Sequence, residues 1–140
     1  MRTVEMDAKT MEEFAASPGG DGPIVMVNLL RYREEANYAA GSAEAPCSGR
    51  EAYHQRYAAG VVPLIHAAGG RPIWSGRASF APLAPKGERW DEVVLVEYPS
   101  RRAFLGMVTS PAYQAVARHR SAALLDSRLI ETQPREPLGR

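Results

Sequence analysis

The chain has 140 residues, of which 17 are Lys or Arg and 16 are Asp or Glu, so its formal charge is only +1. Such a balance gives no strong field to attract nucleic acid or an anionic membrane, and neither is expected as a partner. Apolar residues make up 45% of the chain, enough for one domain with a buried core. The single cysteine, Cys47, cannot form an internal disulfide, which favours a reducing cytoplasmic location.

The N-terminal sequence lacks the apolar core of a secretory signal, and no apolar run approaches the roughly 20 residues of a membrane span. Asp7 is a predicted helix cap, and Ser48 with Glu51 has the spacing of a capping box. Gly60 and Pro63 are expected to kink or break the second helix. The predicted elements, in chain order, are a helix at 8–16, a strand at 23–32, a helix at 49–68, strands at 71–80 and 91–98, helices at 101–108 and 112–123, and a strand at 125–132.

From residue 23 onward the order is strand, helix, strand, strand, helix (in two segments), strand, which is typical of the ferredoxin-like α+β fold. Its four-stranded antiparallel sheet carries helices on one face. We expect a helical extension over 1–21, the domain itself over 22–132 and a flexible tail over 133–140. The long connection over 33–49 is expected to be either a functional lid or partly disordered.

Alternation along the strands predicts which face the helices cover. The purely apolar alternate positions suit that face: Val25, Val27, Leu29, Val94 and Val96. The opposite positions mix apolar with polar side chains: Met26, Asn28, Leu30, Tyr32, Trp74, Val93, Leu95, Glu97, Arg128 and Ile130. A face of that kind is expected to cover itself with a second copy, which predicts a homodimer with a cavity inside a shared barrel.

Four blocks of sequence resemble the bacterial family known as domain of unknown function 1330. They are GPIVMVNLLRYR, SGREAY, RWDEVVLVEYPSRRAF and SPAYQAVARHRSA, and the resemblance as a whole covers about Gly22 to Thr132. The resemblance implies a member of the dimeric α/β-barrel superfamily, but it implies no activity. The wider superfamily includes cofactor-free monooxygenases, haem-degrading monooxygenases and lactone isomerases. Some of its monooxygenases pair an asparagine on the first strand with a tryptophan and a histidine or arginine, to which Asn28, Trp74 and His119 are comparable.

Three side chains are candidate catalytic residues. Asn28 could bind a carbonyl or phenolate oxygen, or it could simply be satisfied by the neighbouring strand. Glu97 could form a structural ion pair with Arg128, or the two could act as an acid/base and anion clamp. His119 could shuttle a proton, or it could be present because cations are favoured near a helix C-terminus. The candidate substrate-binding residues are Arg31, Tyr32, Tyr57, Trp74, Arg120 and Arg128.

No cofactor and no metal is predicted. His54 and His66 have no recognisable ligand spacing, and one cysteine does not suffice for a typical zinc site. Two functions are therefore compared. The first is a small enzyme, a cofactor-independent monooxygenase or isomerase, acting on an aromatic or carbonyl compound in the cavity. The second is a non-catalytic homodimer that binds a metabolite or has a structural role. A haem-handling protein is a third reading, with His119 as the one candidate ligand.

Overall fold

The computed structural model describes residues 1–139 and contains four strands and a set of helices on one side of them. Capping side chains begin most of the helices; Asp7, Ser48, Ser100 and Ser110 each accept a hydrogen bond from a backbone N–H in the first turn. The elements are α1 (Ala8–Ala16), β1 (Ile24–Tyr32), α2 (Gly49–Glu51), a π-helical segment (Ala52–Tyr57), α3 (Ala58–Ala67), β2 (Arg71–Arg77), β3 (Glu92–Tyr98), α4 (Arg101–Val108), α5 (Pro111–Ala123) and β4 (Leu124–Thr132).

The strands form one antiparallel sheet in the order β2-β3-β1-β4. β1 is central, with Met26 opposite Val96 on one side and Glu131 on the other. This is the ferredoxin-like arrangement, so the predicted fold class is confirmed. The core lies between the sheet and the helices and includes Ile24, Leu30, Tyr98, Val61, Ile65, Phe104, Met107 and Leu124.

The predicted facing of β1 was wrong. Its buried residues are Ile24, Met26, Leu30 and Tyr32, whereas Val25, Val27 and Leu29 are only partly covered. The facing of β3 was right, because Val96 and Tyr98 are buried beneath the helices. Both faces of β1 are apolar, so alternation alone could not choose between them. The helices cover the face with the longer side chains and leave the valine face open.

Residues 49–67 form one continuous helix, so of the predicted kink or break at Gly60 and Pro63 the break does not occur. The irregularity lies earlier, in the π-helical segment Ala52–Tyr57, where the N–H of Ala58 bonds to the carbonyl of Tyr53. Gly60 has a packing role, because a Cβ there would lie 2.3 Å from Cγ1 of Val116 on α5.

The connection 33–49 packs on the C-terminal end of α5. Its backbone bonds join Arg33 to Ala123 and Asn37 to Ala122, and Glu44 forms an ion pair with Arg118. These contacts hold the connection against α5, and whether it acts as a lid stays a prediction. At the other end of the sheet, Arg101 and Glu131 form a buried bidentate ion pair with two bonds of 2.7 Å.

Within residues 1–139, no helix combines the length and the apolar character needed to cross a membrane. The same residues contain no group of three or more His, Cys, Asp or Glu side chains arranged to hold a metal ion.

Candidate functional site

A cavity of about 1290 Å³ lies between the sheet and the helices. Most of its wall is apolar. The lining comes from all four strands, the N-terminal segment, α1 and the helices above the sheet, and its apolar members include Met26, Val94, Val96, Phe14, Val61, Ile65, Phe104, Met107 and Val108. Asn28, His54 and Glu92 also line it and give it a polar region. An apolar space with a few polar groups is the usual form of a small-molecule site.

Three side chains meet at one carboxylate oxygen beside this cavity. The hydroxyl of Tyr32 donates to Oε1 of Glu92 at 2.6 Å, and Nε2 of His54 lies 2.7 Å from the same oxygen. The Tyr32 hydroxyl is also 3.1 Å from Nε2 of His54. Tyr32 and Glu92 come from β1 and β3, on the face that the helices cover, and His54 comes from the π-helical segment. Single π-helical turns occur often at functional sites.

Burial keeps the tyrosines of this region in the phenol form. Desolvation raises the pKa of Tyr32 far above its ordinary value, and its hydrogen bond to Glu92 raises that pKa further. Burial likewise raises the pKa of Tyr53 to about 12. It also raises the pKa of Tyr57, whose hydroxyl lies 2.9 Å from that of Tyr113. These hydroxyls are therefore neutral hydrogen-bonding groups at physiological pH.

Asn28 lies on the cavity side of β1, near the three-residue cluster. Its Nδ2 donates to the carbonyl of Val94 on the neighbouring strand at 3.2 Å and, more weakly, to the carbonyl of Met26 on its own strand at 3.5 Å. Asn28 pairs with Val94 and Leu30 pairs with Glu92, which makes Asn28 and Glu92 diagonal neighbours. Such neighbours are about 7–8 Å apart on a sheet.

Several predicted site residues lie on the opposite, open face of the sheet. Arg31 belongs to the open face of β1, and Trp74 is 56% exposed and lies over Gly76. Glu97 pairs with Arg71 at 3.7 Å rather than with Arg128. Arg128 instead bonds to Asp126 at 2.7 Å, with its guanidinium over the ring of Trp90. The structure thus places these four residues away from the hydrogen-bonded cluster of Tyr32, His54 and Glu92, although Trp74 and Arg128 also line part of the cavity.

His119 and Arg120 are both held by neighbouring segments. His119 is buried under the 33–49 connection, where Nδ1 lies 2.7 Å from the hydroxyl of Tyr38. Burial lowers the pKa of His119 below its ordinary value. Arg120 lines the cavity, and its guanidinium donates to the carbonyl of Val4. Tyr57 also lines the cavity, as does the predicted candidate Asn28.

Sequence reasoning missed His54 and Glu92. His54 lies off the helical stripe of apolar residues, and the wider π-helical turn is what brings it to Glu92. Glu92 did offer a signal, because it is a carboxylate at the same alternation as Val94 and Val96 on a strand face predicted to be buried. A buried carboxylate requires hydrogen-bonding partners, so a carboxylate at such a position predicts polar side chains packed against it.

The solved structures that resemble this chain include close and more distant matches. A protein of unknown function from Rhodopseudomonas palustris is 34% identical, with a TM-score of 0.87, over 98% of this chain and 100% of that chain. A dabb family protein with a ferredoxin-like fold from Mesorhizobium loti is 15% identical, with a TM-score of 0.50, over 82% of this chain and 99% of that chain. A dimeric protein of unknown function with a ferredoxin-like fold from Bacteroides fragilis is 14% identical, with a TM-score of 0.51, over the same shares.

The similarities to the Mesorhizobium loti and Bacteroides fragilis proteins concern the fold alone. Among curated proteins of known function, none matches this chain. A family model, described as a domain of unknown function (DUF1330), matches residues 43–132. With that match and the 34% identity over almost the whole chain, the protein belongs to the DUF1330 family.

Proposed function

We propose that the protein binds a small aromatic or carbonyl-containing molecule in the cavity between its sheet and its helices. The observation that carries this proposal is the composition of the cavity wall, which is mostly apolar and includes Asn28, His54 and Glu92 among its polar groups. The apolar part would cover a ring or hydrocarbon body. The polar part would bind an oxygen, since a few polar groups in an apolar pocket fix a ligand's orientation.

The cavity volume is compatible with a ligand of several rings. Typical ligand sites measure about 300–1,000 Å³, and the cavity here measures about 1290 Å³. A cofactor-independent monooxygenase or isomerase would use this space, and so would a non-catalytic binding protein. The polar cluster next to the cavity favours the enzyme. The free thiol of Cys47 is compatible with a cytoplasmic location, which we include in the proposal.

Binding can be tested with prodan, a fluorescent aromatic ketone whose emission moves to shorter wavelength in apolar surroundings. Ala117 on α5 lines the cavity, and Ala115 on the same helix is exposed. We expect wild-type protein to bind prodan, Ala117→Phe to bind it much more weakly because the ring fills the cavity, and Ala115→Phe to bind it as wild type does. Equal binding by the three proteins, or none by wild type, would contradict the proposal.

We further propose that the open face of the sheet is the interface of a homodimer. This face carries apolar side chains from all four strands, including Val25, Val27, Leu29, Trp74, Val93, Leu95 and Ile130. A contiguous apolar patch on a sheet is typical of an interaction surface. The ferredoxin-like neighbour from Bacteroides fragilis is described as dimeric, which supports a second copy as the occupant.

Two leucines allow a matched test of the dimer. Leu95 is on the open face, between β1 and β2, whereas Leu83 is exposed in the connection between β2 and β3. Leu95→Glu would bury two charges in the interface, so we expect a monomer by sedimentation velocity. Leu83→Glu should stay dimeric, as wild type is expected to be. A monomeric wild-type protein or a dimeric Leu95→Glu variant would refute this interface.

A further inference from the structure

The cluster of Tyr32, His54 and Glu92 has a definite arrangement of protons. A carboxylate oxygen can only accept hydrogen bonds, so Nε2 of His54, at 2.7 Å from Oε1 of Glu92, carries the imidazole proton. The hydroxyl of Tyr32 donates its hydrogen bond to the same oxygen. In neutral His54, Nδ1 is therefore the unprotonated nitrogen.

Nδ1 of His54 is available to a ligand. Within residues 1–139 no hydrogen bond engages it, the side chain is 46% exposed, and His54 lines the cavity. By contrast, the side chain of Glu92 is only 9% exposed. A buried carboxylate that fixes one nitrogen of an imidazole and leaves the other free to accept a proton is the arrangement of a positioned general base.

Two further side chains, Arg50 and Asn28, lie beside the cluster. Tyr32 holds Glu92 from β1, and the guanidinium of Arg50 lies 4.8 Å from the centre of its ring. Asn28, the diagonal neighbour of Glu92, donates through its amide nitrogen to the carbonyl of Val94 at 3.2 Å and, in a longer bond of 3.5 Å, to that of Met26. By giving up the longer bond, the amide can offer its second hydrogen to a ligand oxygen. A base and a hydrogen-bond donor for a ligand oxygen are thus adjacent on one wall of the cavity.

We propose that His54 catalyses proton transfer at a carbon next to a carbonyl group of the ligand. Nδ1 takes the proton, the C–H electron pair forms a carbon–carbon double bond, and the carbonyl π pair moves to oxygen. The N–H of Asn28 donates to that enolate oxygen, and the Glu92 carboxylate balances the imidazolium charge. Return of a proton to carbon regenerates the carbonyl, so the reaction is an enolisation that consumes no oxidant or reductant.

In this scheme His54 and Asn28 touch the ligand, whereas Glu92 and Tyr32 are positioning residues. The proposal rests on the cavity being a ligand site, as proposed above. A purely structural cluster would satisfy the buried Glu92 equally well, but it would have no effect on a reaction. The two readings therefore differ in measurable ways.

The probe is 2-tetralone, an aromatic ketone with exchangeable protons beside its carbonyl. Its binding is measured by displacement of prodan, and its exchange by proton NMR in D₂O. We expect wild-type protein to exchange the protons faster than buffer does. His54→Gln should slow the enzymatic rate by about 10²-fold or more with an unchanged dissociation constant. His66→Gln, at an exposed histidine on α3, should change neither quantity.

The positioning role of Tyr32 and Glu92 can be measured separately from the catalytic role of His54. Tyr32→Phe and Glu92→Leu should lower kcat and leave KM unchanged, because the base remains but is less well oriented. Nitrogen NMR should find the neutral imidazole of His54 protonated on Nε2 in wild type and as a mixture of tautomers in Glu92→Leu. Retained prodan binding would show that each variant is folded.

Three results would overturn the inference. The first is bound 2-tetralone that exchanges no faster than in buffer, the second is a His54→Gln variant as active as wild type, and the third is an Nδ1-protonated tautomer in wild type. In each of these cases the proposed binding function would stand. If 2-tetralone failed to displace prodan, or prodan failed to bind, the binding function would fail together with the inference.

Discussion

The close contact between α3 and α5 predicts how much stability the protein loses when Gly60 is replaced by alanine. A Cβ added at Gly60 would lie 2.3 Å from Cγ1 and 3.0 Å from Cβ of Val116. Valine is β-branched and has essentially one χ1 rotamer in a helix, so it has no way to turn aside. Ala at Gly60 therefore requires the helices to separate, and overpacking of that kind costs about 1–3 kcal/mol.

Gly106 provides the matched control. It lies within α4, and a Cβ there would meet nothing within 4 Å. Both Gly→Ala changes gain the same helix propensity, about 0.8–1.0 kcal/mol. Gly106→Ala should show this gain in full, and the difference between the two variants isolates the cost of the clash with Val116.

The assay is urea unfolding followed by tryptophan fluorescence. With an m-value of about 2 kcal/mol/M, the Gly60→Ala midpoint should lie about 0.5–1.5 M below that of Gly106→Ala. Adding Val116→Ala to Gly60→Ala should reduce the part of the loss that comes from the clash, which a double-mutant cycle would reveal as a coupling. Equal midpoints for the two glycine variants, with no coupling to Val116, would refute the packing argument.

Two pH-dependent predictions concern other parts of the molecule. The Arg101 guanidinium holds the pKa of Glu131 below its usual range, so this pair stabilises the fold at neutral pH and loses its effect as the pH falls through the folded-state value. Thermal melts should find Glu131→Gln destabilised at pH 7, with the difference from wild type shrinking in acid, whereas Glu97→Gln at an exposed pair should change little. Burial lowers the pKa of His119, with Arg118 adding to the effect and Glu44 opposing it, so the unfolded chain takes up a proton before the folded protein does. The free energy of unfolding should therefore fall as the pH drops below about 6.5, and His119→Gln should weaken that fall. A His119→Gln variant with the same pH dependence of stability as wild type would contradict this prediction.

The fold could be predicted from the sequence because its local signals agree with one another. Capping residues, proline at the start of α5 and short apolar runs placed every major element close to its observed bounds. The order of those elements then left the ferredoxin-like fold as the natural reading. The facing of β1 could not be predicted, because Val25 and Val27 are as apolar as Met26 and Leu30.

The candidate site was less accessible to sequence reasoning. Asn28 and Tyr57 were identified and both line the cavity. His54 was not, because helical spacing of 3.6 residues per turn does not apply across a π-helical segment, and nothing in residues 52–57 announces that segment. Glu92 becomes a site residue only when β1 and β3 are paired, which places Tyr32 within reach of it.

Both the proposed binding and the proposed proton transfer require the cavity to be a ligand site. Backbone amide NMR spectra recorded while 2-tetralone is added would test this directly, since they report which residues sense the ligand. We expect shifts at cavity residues such as Asn28, His54 and Met107, and none at Val27 or Arg31 on the open face. Shifts confined to the open face, or no shifts at saturating ligand, would contradict it.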